Sequence, residues 1–240
     1  MDQPHNLGLA ELEPTGFVPA TAGLQQRKSS ETRIAILDAA VECLAEHGYA
    51  RTTTQLIAKV ANVSRGAMLH HYATKQELIE SVIEYAFYRH VEQFIAAMKV
   101  VTERQRTEDN AGIRADWQTY QSREFMAYLE LNVAARTDAE LRDMYLPRAR
   151  KHDRVWRDEL LRVFPEWTQD LKLLNRSRRL VQALMTGMVI NRAVWDDASI
   201  EETLLKFLAD ILIKIRKHEI DFPQARAKAR APGKRRVQSS

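Results

Sequence analysis

Cysteine occurs once in the chain, as Cys43, so no intramolecular disulfide can form and a zinc site built on cysteines is excluded. Glycine and proline are also scarce, eight and seven in 240 residues, and most of the prolines fall outside or between the periodic stretches. So few backbone breakers in so long a chain favour helices over a turn-rich β fold. No run of 18 apolar residues is present, and the first 28 residues lack the apolar core of a secretory signal. No membrane association is therefore expected, and a cytoplasmic location is. The length leaves room for one or two domains around a sizeable core.

Net charge misleads when taken over the whole chain. The total of +4 conceals a tail after Pro223 that holds Arg226, Lys228, Arg230, Lys234, Arg235 and Arg236 with no acid, which leaves the body at −2. Overall basicity is thus a property of the tail and is not in itself a mark of a nucleic-acid-binding fold. A local absence is more informative. Between His47 and Gln76 there is no aspartate or glutamate, while Arg51, Lys59, Arg65, Lys75 and three histidines fall in that window. The acids lie in the flanks, at Asp38, Glu42 and Glu46 before it and at Glu77 and Glu80 after it. A solvated helix pair normally mixes both signs. A window without carboxylates suits a polyanion, because each phosphate neutralised releases counterions.

Residues 1–28 hold three prolines, three glycines and apolar residues without a period, and read as a flexible arm. From Ser29 the pattern changes. Ile34, Leu37, Val41, Leu44 and Ala45 recur at helical spacing, and Gly48 supplies a stop. Thr52 with Gln55 predicts a capped short helix through Ala61; Ser64 caps a second, and Thr74 with Glu77 opens a long third. Two very short helices joined by Asn62 and Val63 make a helix-turn-helix reading. Beyond a polar gap around 103–111, one helix is expected to carry Trp117, Tyr120, Phe125 and Tyr128. Another, capped by Thr137 with Glu140, should break or kink at Pro147. Two last helices are expected near 168–195 and, capped by Ser199, near 200–217. The fold class is all-α.

A major groove admits one helix, so a reading unit needs a tight corner, a small residue at the helix crossing and a polar outward face. Ala58 suits the crossing. The outward set comprises Thr53, Thr54, Ser64, Arg65, Ala67, His70 and His71, with Gly66 beside them and Arg51 at the edge. His70 and His71 are about 100° apart around a helix, so they cannot share one metal, and no acid or cysteine lies within four residues on that helix. Cys43 and His47 have an i,i+4 spacing but no third ligand nearby, and a core cysteine is the reading there. No metal or other cofactor is expected.

The run "RIAILDAAVECLAEHGYARTTTQLIAKVANVSRGAMLHHYATKQEL", Arg33–Leu78, resembles the DNA-binding domain of the TetR family of bacterial transcriptional regulators. The resemblance rests on the Ile-Leu-x-Ala-Ala start, the "HGY" end, "TTTQLIAKVANVS" and Lys75-x-x-Leu78. It implies that His71 and Lys75 hold phosphate and that Tyr72, counted here with the DNA-facing set, matches an aromatic that packs the domain. Two positions depart from the family. Asn62 stands where glycine is frequent, and Leu69 stands where a phosphate-contacting tyrosine is frequent.

The resemblance implies an N-terminal three-helix domain with a helix-turn-helix, at 29–76, and a C-terminal helical domain for ligand binding and dimerisation, at 77–217; composition makes 218–240 a basic disordered tail. Trp117, Tyr120, Phe125, Tyr128, Met185 and Met188 are the candidate pocket residues, since aromatics and methionines line apolar ligand sites. The same residue types fill ordinary cores, and the resemblance tips the group towards a cavity. Leu180, Leu184, Gly187, Met188, Asn191 and Trp195, with Leu204, Leu208 and Leu212, are expected at a homodimer interface. Arg136 is read as a surface residue. The expectation is a TetR-like regulator, a repressor that binds double-stranded operator DNA and is released by a small lipophilic effector. The alternative is a helix-turn-helix protein without such a ligand, controlled by a partner protein or by its own abundance. An enzyme is not expected, because no nucleophile–base pair, metal set or phosphate loop is present.

Overall fold

The structure, a computed structural model, describes residues 8–15, 23–108, 111–197 and 199–223. Among these residues it contains helices and no strand: α1 Leu24–Arg51, α2 Thr54–Val60, α3 Arg65–His71, α4 Lys75–Lys99 and α5 Glu103–Glu108. There follow α6 Ala111–Tyr120, α7 Arg123–Ala134, α8 Ala139–Val163, α9 Leu171–Asn191 and α10 Ser199–Arg216. No helix of the described residues is long and apolar enough to cross a membrane.

α1, α2 and α3 close on a core with α4. Leu37, Leu44, Ile57, Met68 and Leu78 are buried there, together with Ala58. Gly48 has φ +74°, so α1 stops in effect one turn before its formal end, and glycine is the residue that takes this conformation without steric cost. Thr52, expected to cap α2, is buried, and its hydroxyl donates to the Gly48 carbonyl at 2.8 Å. Thr53 caps instead, its hydroxyl oxygen accepting from Leu56 N–H. The corner places Asn62 at φ +53°, a left-handed conformation that asparagine tolerates.

That core does not end where the short helices do. Ala127, Leu131, Leu141, Met144 and Tyr145 belong to the same cluster as Leu44 and Ile57. The position between residues 76 and 77 lies inside the first turn of α4, which packs against α1 near its start and against α6, α7 and α8 beyond. A second cluster gathers Phe94, Met98, Val155 and Trp156, and a third joins α6 and α7 to α9 and α10 through Trp117, Phe125, Met185, Met188 and Leu205.

Several expectations need correction. Residues 1–28 are not simply a flexible arm: Leu24 onward is α1, and Leu9–Leu12 forms a 3-10 turn with Leu12 buried. Leu9 N–H donates to Glu159 of α8 at 3.0 Å, which anchors that turn. Two helices, not one, carry the aromatic residues after 111. Ser122 starts α7 by accepting from Phe125 N–H at 3.1 Å, and an apolar spacing that runs across the break disguised it. Asp138, not Thr137, caps α8, and that helix runs on through Pro147. At that turn the Arg148 guanidinium donates to the Met144 carbonyl, 3.0 Å away. Ser199 does not cap α10; its N–H donates to Asp197. Of the basic tail, residues 224–240 lie outside the described residues.

Candidate DNA-reading surface and effector cavity

α3 is seven residues long and is held at both ends. Ser64 Oγ accepts from Ala67 N–H at 3.0 Å, and Thr74 Oγ1 accepts from Glu77 N–H at 3.1 Å to start α4 directly after it. Met68 points into the core, which sends the rest of α3 outward. Arg65, Gly66 and His70 are exposed, as are Arg51, Thr53, Thr54, Ser64 and Lys75; Ala67 and His71 are half-buried. Of the acids flanking this stretch, Glu77 is engaged locally, its carboxylate accepting from Ala73 N–H at 3.0 Å. Lys75 Nζ lies 5.5 Å from the Tyr49 ring centre, which holds the ammonium beside α3.

The His70 and His71 rings meet edge-on at 5.5 Å, and no group of three or more metal-ligating side chains occurs among the described residues. Burial, reinforced by Arg33 and His70, lowers the pKa of His71 below the usual imidazole value. Tyr72 must be withdrawn from the outward set. Its side chain is 2% exposed within the core, with Arg33 above the ring at 5.3 Å. Leu69, half exposed on α3, and Gln55 and Lys59 on α2 share the groove beside Arg65, although none of the three is in the outward set read from the sequence.

The candidate pocket residues divide. Tyr120, Phe125 and Tyr128 line a cavity of about 380 Å³ between α4 and α6–α9. Trp117, Met185 and Met188 do not; they are packed in the third core cluster, and Trp117 Nε1 donates to Glu201 of α10 at 2.7 Å. Residues that periodicity could not find complete the cavity, chiefly His90, Tyr145, His152 and Trp156. They come from α4 and α8, far from the aromatic run in sequence. His90 and Trp156 ring centres are 4.6 Å apart, and His90 and His152 are stacked at 5.8 Å. Burial drives both imidazole pKa values down, that of His152 to about 4, so both rings are neutral. A second, more aliphatic cavity of about 120 Å³ adjoins the first across Tyr120, Trp156 and Arg178. There Asp116 is buried and its carboxyl is pushed up to about 7.

The expected dimer set divides as well. Met188 and Leu208 are 1% exposed and belong to the protomer's own core, so neither is an interface residue. Leu180, Leu184, Trp195, Leu204 and Leu212 are half-buried against that core. Exposed apolar area on α9, α10 and the turn between them comes instead from Ile190, Val194 and Phe207, the last 61% exposed. Gly187 faces open space on α9, and Asn191 donates to its carbonyl at 2.7 Å.

A short capped helix, presented on a basic surface across a tight corner from a second short helix, defines a helix-turn-helix DNA-binding protein. Residues 36–82 match the family model for bacterial regulatory proteins of the tetR family, and this match, with the relatives below, supports membership of that family of transcriptional regulators. It is 29% identical over 201 residues to an uncharacterized HTH-type transcriptional regulator of Mycobacterium tuberculosis, covering 80% of this chain and 97% of the relative. It is 30% identical over 137 residues to the HTH-type transcriptional repressor AcnR of Corynebacterium glutamicum, 57% of this chain and 65% of that protein. A transcriptional regulator from Rhodococcus sp. Rha1 superposes with a TM-score of 0.55 at 22% identity, over 80% of this chain and 99% of that one. The fatty acid degradation regulator FadR of Bacillus halodurans does so with 0.55 at 20%, over 76% and 94%. At these identities the two structures share the fold with this chain and nothing more. Members of the family bind operator DNA and act as dimers.

Proposed function

We propose that the protein is a dimeric repressor whose α3 reads operator DNA in the major groove and whose cavity between α4 and α6–α9 takes a small effector that releases it. The observation that carries this reading is the surface of α3: Arg65, Gly66 and His70 exposed on a helix capped by Ser64, in a window free of carboxylates. Arg65 supplies a bidentate donor for a base edge, and His71 and Lys75 hold the phosphates on either side, as the family resemblance implies. One reading helix has modest affinity, so two copies are joined through the face of α9 and α10 that exposes Ile190, Val194 and Phe207.

The path from cavity to reading head runs through side chains that tie α1 to α4 and α7. Asp38 of α1 accepts from the Tyr85 hydroxyl of α4 at 2.9 Å and from Arg123 of α7 at 2.8 Å. Phe125 and Tyr128, on the turns of α7 that follow Arg123, line the cavity. Arg148 of α8 donates to Glu80 and Glu84 of α4 at 2.9 and 3.0 Å. An effector that shifts α7 or α8 therefore moves α1 and α4, and with them the two heads; a coupling of about 1–3 kcal/mol is typical of such linkage.

The test is a fluorescence-anisotropy titration of the purified protein against the DNA upstream of its own gene, with a scrambled duplex as control, at low and high salt. Tight binding to the native fragment, two protomers per site and weak binding to the scramble support the reading. Equal, strongly salt-dependent binding to both duplexes, repeated on fragments from elsewhere in the genome, would overturn it.

A further inference from the structure

The effector cavity has an unusual division of chemistry. Its walls are mostly rings, with Leu146 and Ala149 beside them, and Tyr120, Phe125, Tyr128 and Trp156 are arranged around His90 at centroid distances of 4.6 to 6.2 Å. The adjoining smaller cavity has the aliphatic lining of Met98, Ile113, Leu160 and Val181. Deep in the ring-walled cavity, both nitrogens of His90 and Nε2 of His152 are buried without a hydrogen-bond partner in the protein. His90 is 3% exposed and sits on α4, which packs against α6, α7 and α8. The His90 imidazole thus keeps one donor and one acceptor unmet, a costly arrangement that a guest relieves by parting the rings packed over them.

The rim has a different character. Arg150, Arg154, Arg178 and Arg179 face the cavity, and Asp153 is the one carboxylate among its lining residues. Asp153 is engaged by Arg178 at 2.5 and 3.0 Å and by Arg179 at 2.9 Å, which leaves the rim with a positive excess. Arg178 Nε, also buried, has no partner of its own. A guest for such a site is flat, carries a neutral hydrogen-bonding group at its deep end and is anionic at its outer end.

We propose that the cavity binds a hydroxylated aromatic acid, its hydroxyl against His90 and His152, its ring among the aromatic walls and its carboxylate turned to the arginine rim. The proposal rests on the reading of this cavity as the effector site and names the chemistry of its occupant. An aliphatic chain meets rings and unmatched imidazoles here, and a cation meets guanidiniums. The volume of about 380 Å³ accommodates one or two fused rings and is at the small end for ligand sites.

The test is a calorimetric and thermal-shift comparison of four probes on the full chain: a hydroxynaphthoate, the matching naphthoate, the matching naphthol and a naphthylmethylamine. The hydroxynaphthoate binds tightest, the naphthoate and naphthol each about tenfold weaker, and the amine weakest. His90→Phe, which keeps a ring in place, erases the advantage of the hydroxyl and leaves that of the carboxylate. The double variant Arg150→Gln with Arg154→Gln changes two exposed side chains and reduces the advantage of the carboxylate, so the proposal stays testable if His90→Phe does not fold. Preference for the naphthol or the amine would overturn the acid chemistry while leaving an effector-responsive regulator in place. Silence from all four probes, with operator binding intact, would overturn the occupant and leave the DNA reading standing.

Discussion

All the outward side chains of the reading head lie between Arg51 and Lys75, and the helices that carry them are started by bonds a few residues long: Ser64 to Ala67, Thr53 to Leu56, Thr74 to Glu77. The cavity draws His90, Tyr120, Tyr128, His152 and Arg178 from five helices, α4 and α6 to α9, and no local bond sets their spacing. One region is therefore an exposed surface whose chemistry is local. The other is an interior whose chemistry exists only after the helices have packed. Changes in the first should alter DNA affinity at nearly constant stability, and changes in the second should alter stability and its pH dependence first.

The largest effect is expected where the core beneath the reading head backs onto the rings of the cavity. Phe87 is 1% exposed on α4, and its ring touches Tyr145 at 5.7 Å and His152 at 4.5 Å. Phe87→Ala should cost about 3–5 kcal/mol in chemical denaturation, the usual penalty for deleting a fully packed ring. A loss below about 1 kcal/mol would mean that the packing behind the cavity rings is not part of the cooperative core.

Acid should separate the regions next. Burial lowers the folded-state pKa of His152 from 6.5 to about 4, so its contribution to stability is present above about pH 6.5 and is lost as pH falls towards 4. That loss is at most about 3 kcal/mol. Asp116 has the opposite sign: its carboxyl is raised from 3.8 to about 7, so its contribution is full below about pH 4 and is lost as pH rises to 7. In pH-dependent urea melts, His152→Phe should flatten the slope on the acid side, and Asp116→Asn should gain stability relative to the parent towards neutral pH. Parallel curves for parent and variants would contradict the burial of these groups.

The smallest effect should be confined to the reading head. Ser64→Ala removes the acceptor of Ala67 N–H, worth about 1 kcal/mol, and should speed hydrogen exchange at that amide while leaving the global melt nearly unchanged. Loss of global stability beyond that would show α3 to be more deeply integrated than its length suggests.

The same contrast explains how much was legible in the sequence. The corner at Asn62, the Ser64 cap and the acid-free window were readable because caps and charge patterns are local. Thr53 displaced Thr52 as the cap of α2 because the Thr52 hydroxyl was needed at the Gly48 carbonyl, a preference set by folding the α1 end. Tyr72, counted with the DNA-facing set, is core, the packing role that the resemblance attaches to its position. For the cavity, Tyr120, Phe125 and Tyr128 were found by residue type, and Trp117, Met185 and Met188 were misplaced by the same rule. Ring-rich cores and ring-walled cavities have one composition; only the approach of α4 and α8, which brings His90 and His152 beside those rings, tells them apart. Met188 and Leu208 went astray for a related reason, since a helix with two apolar faces does not announce which one is turned outward.

The most direct test of the account compares Arg65→Ala and Lys75→Ala with the parent protein on operator and scrambled duplexes across a salt series. Arg65→Ala should lose about 1–3 kcal/mol on the operator and little on the scramble, whereas Lys75→Ala should weaken both alike and reduce the salt slope by about one. Parental binding by both variants would contradict the placement of α3 as the reading helix.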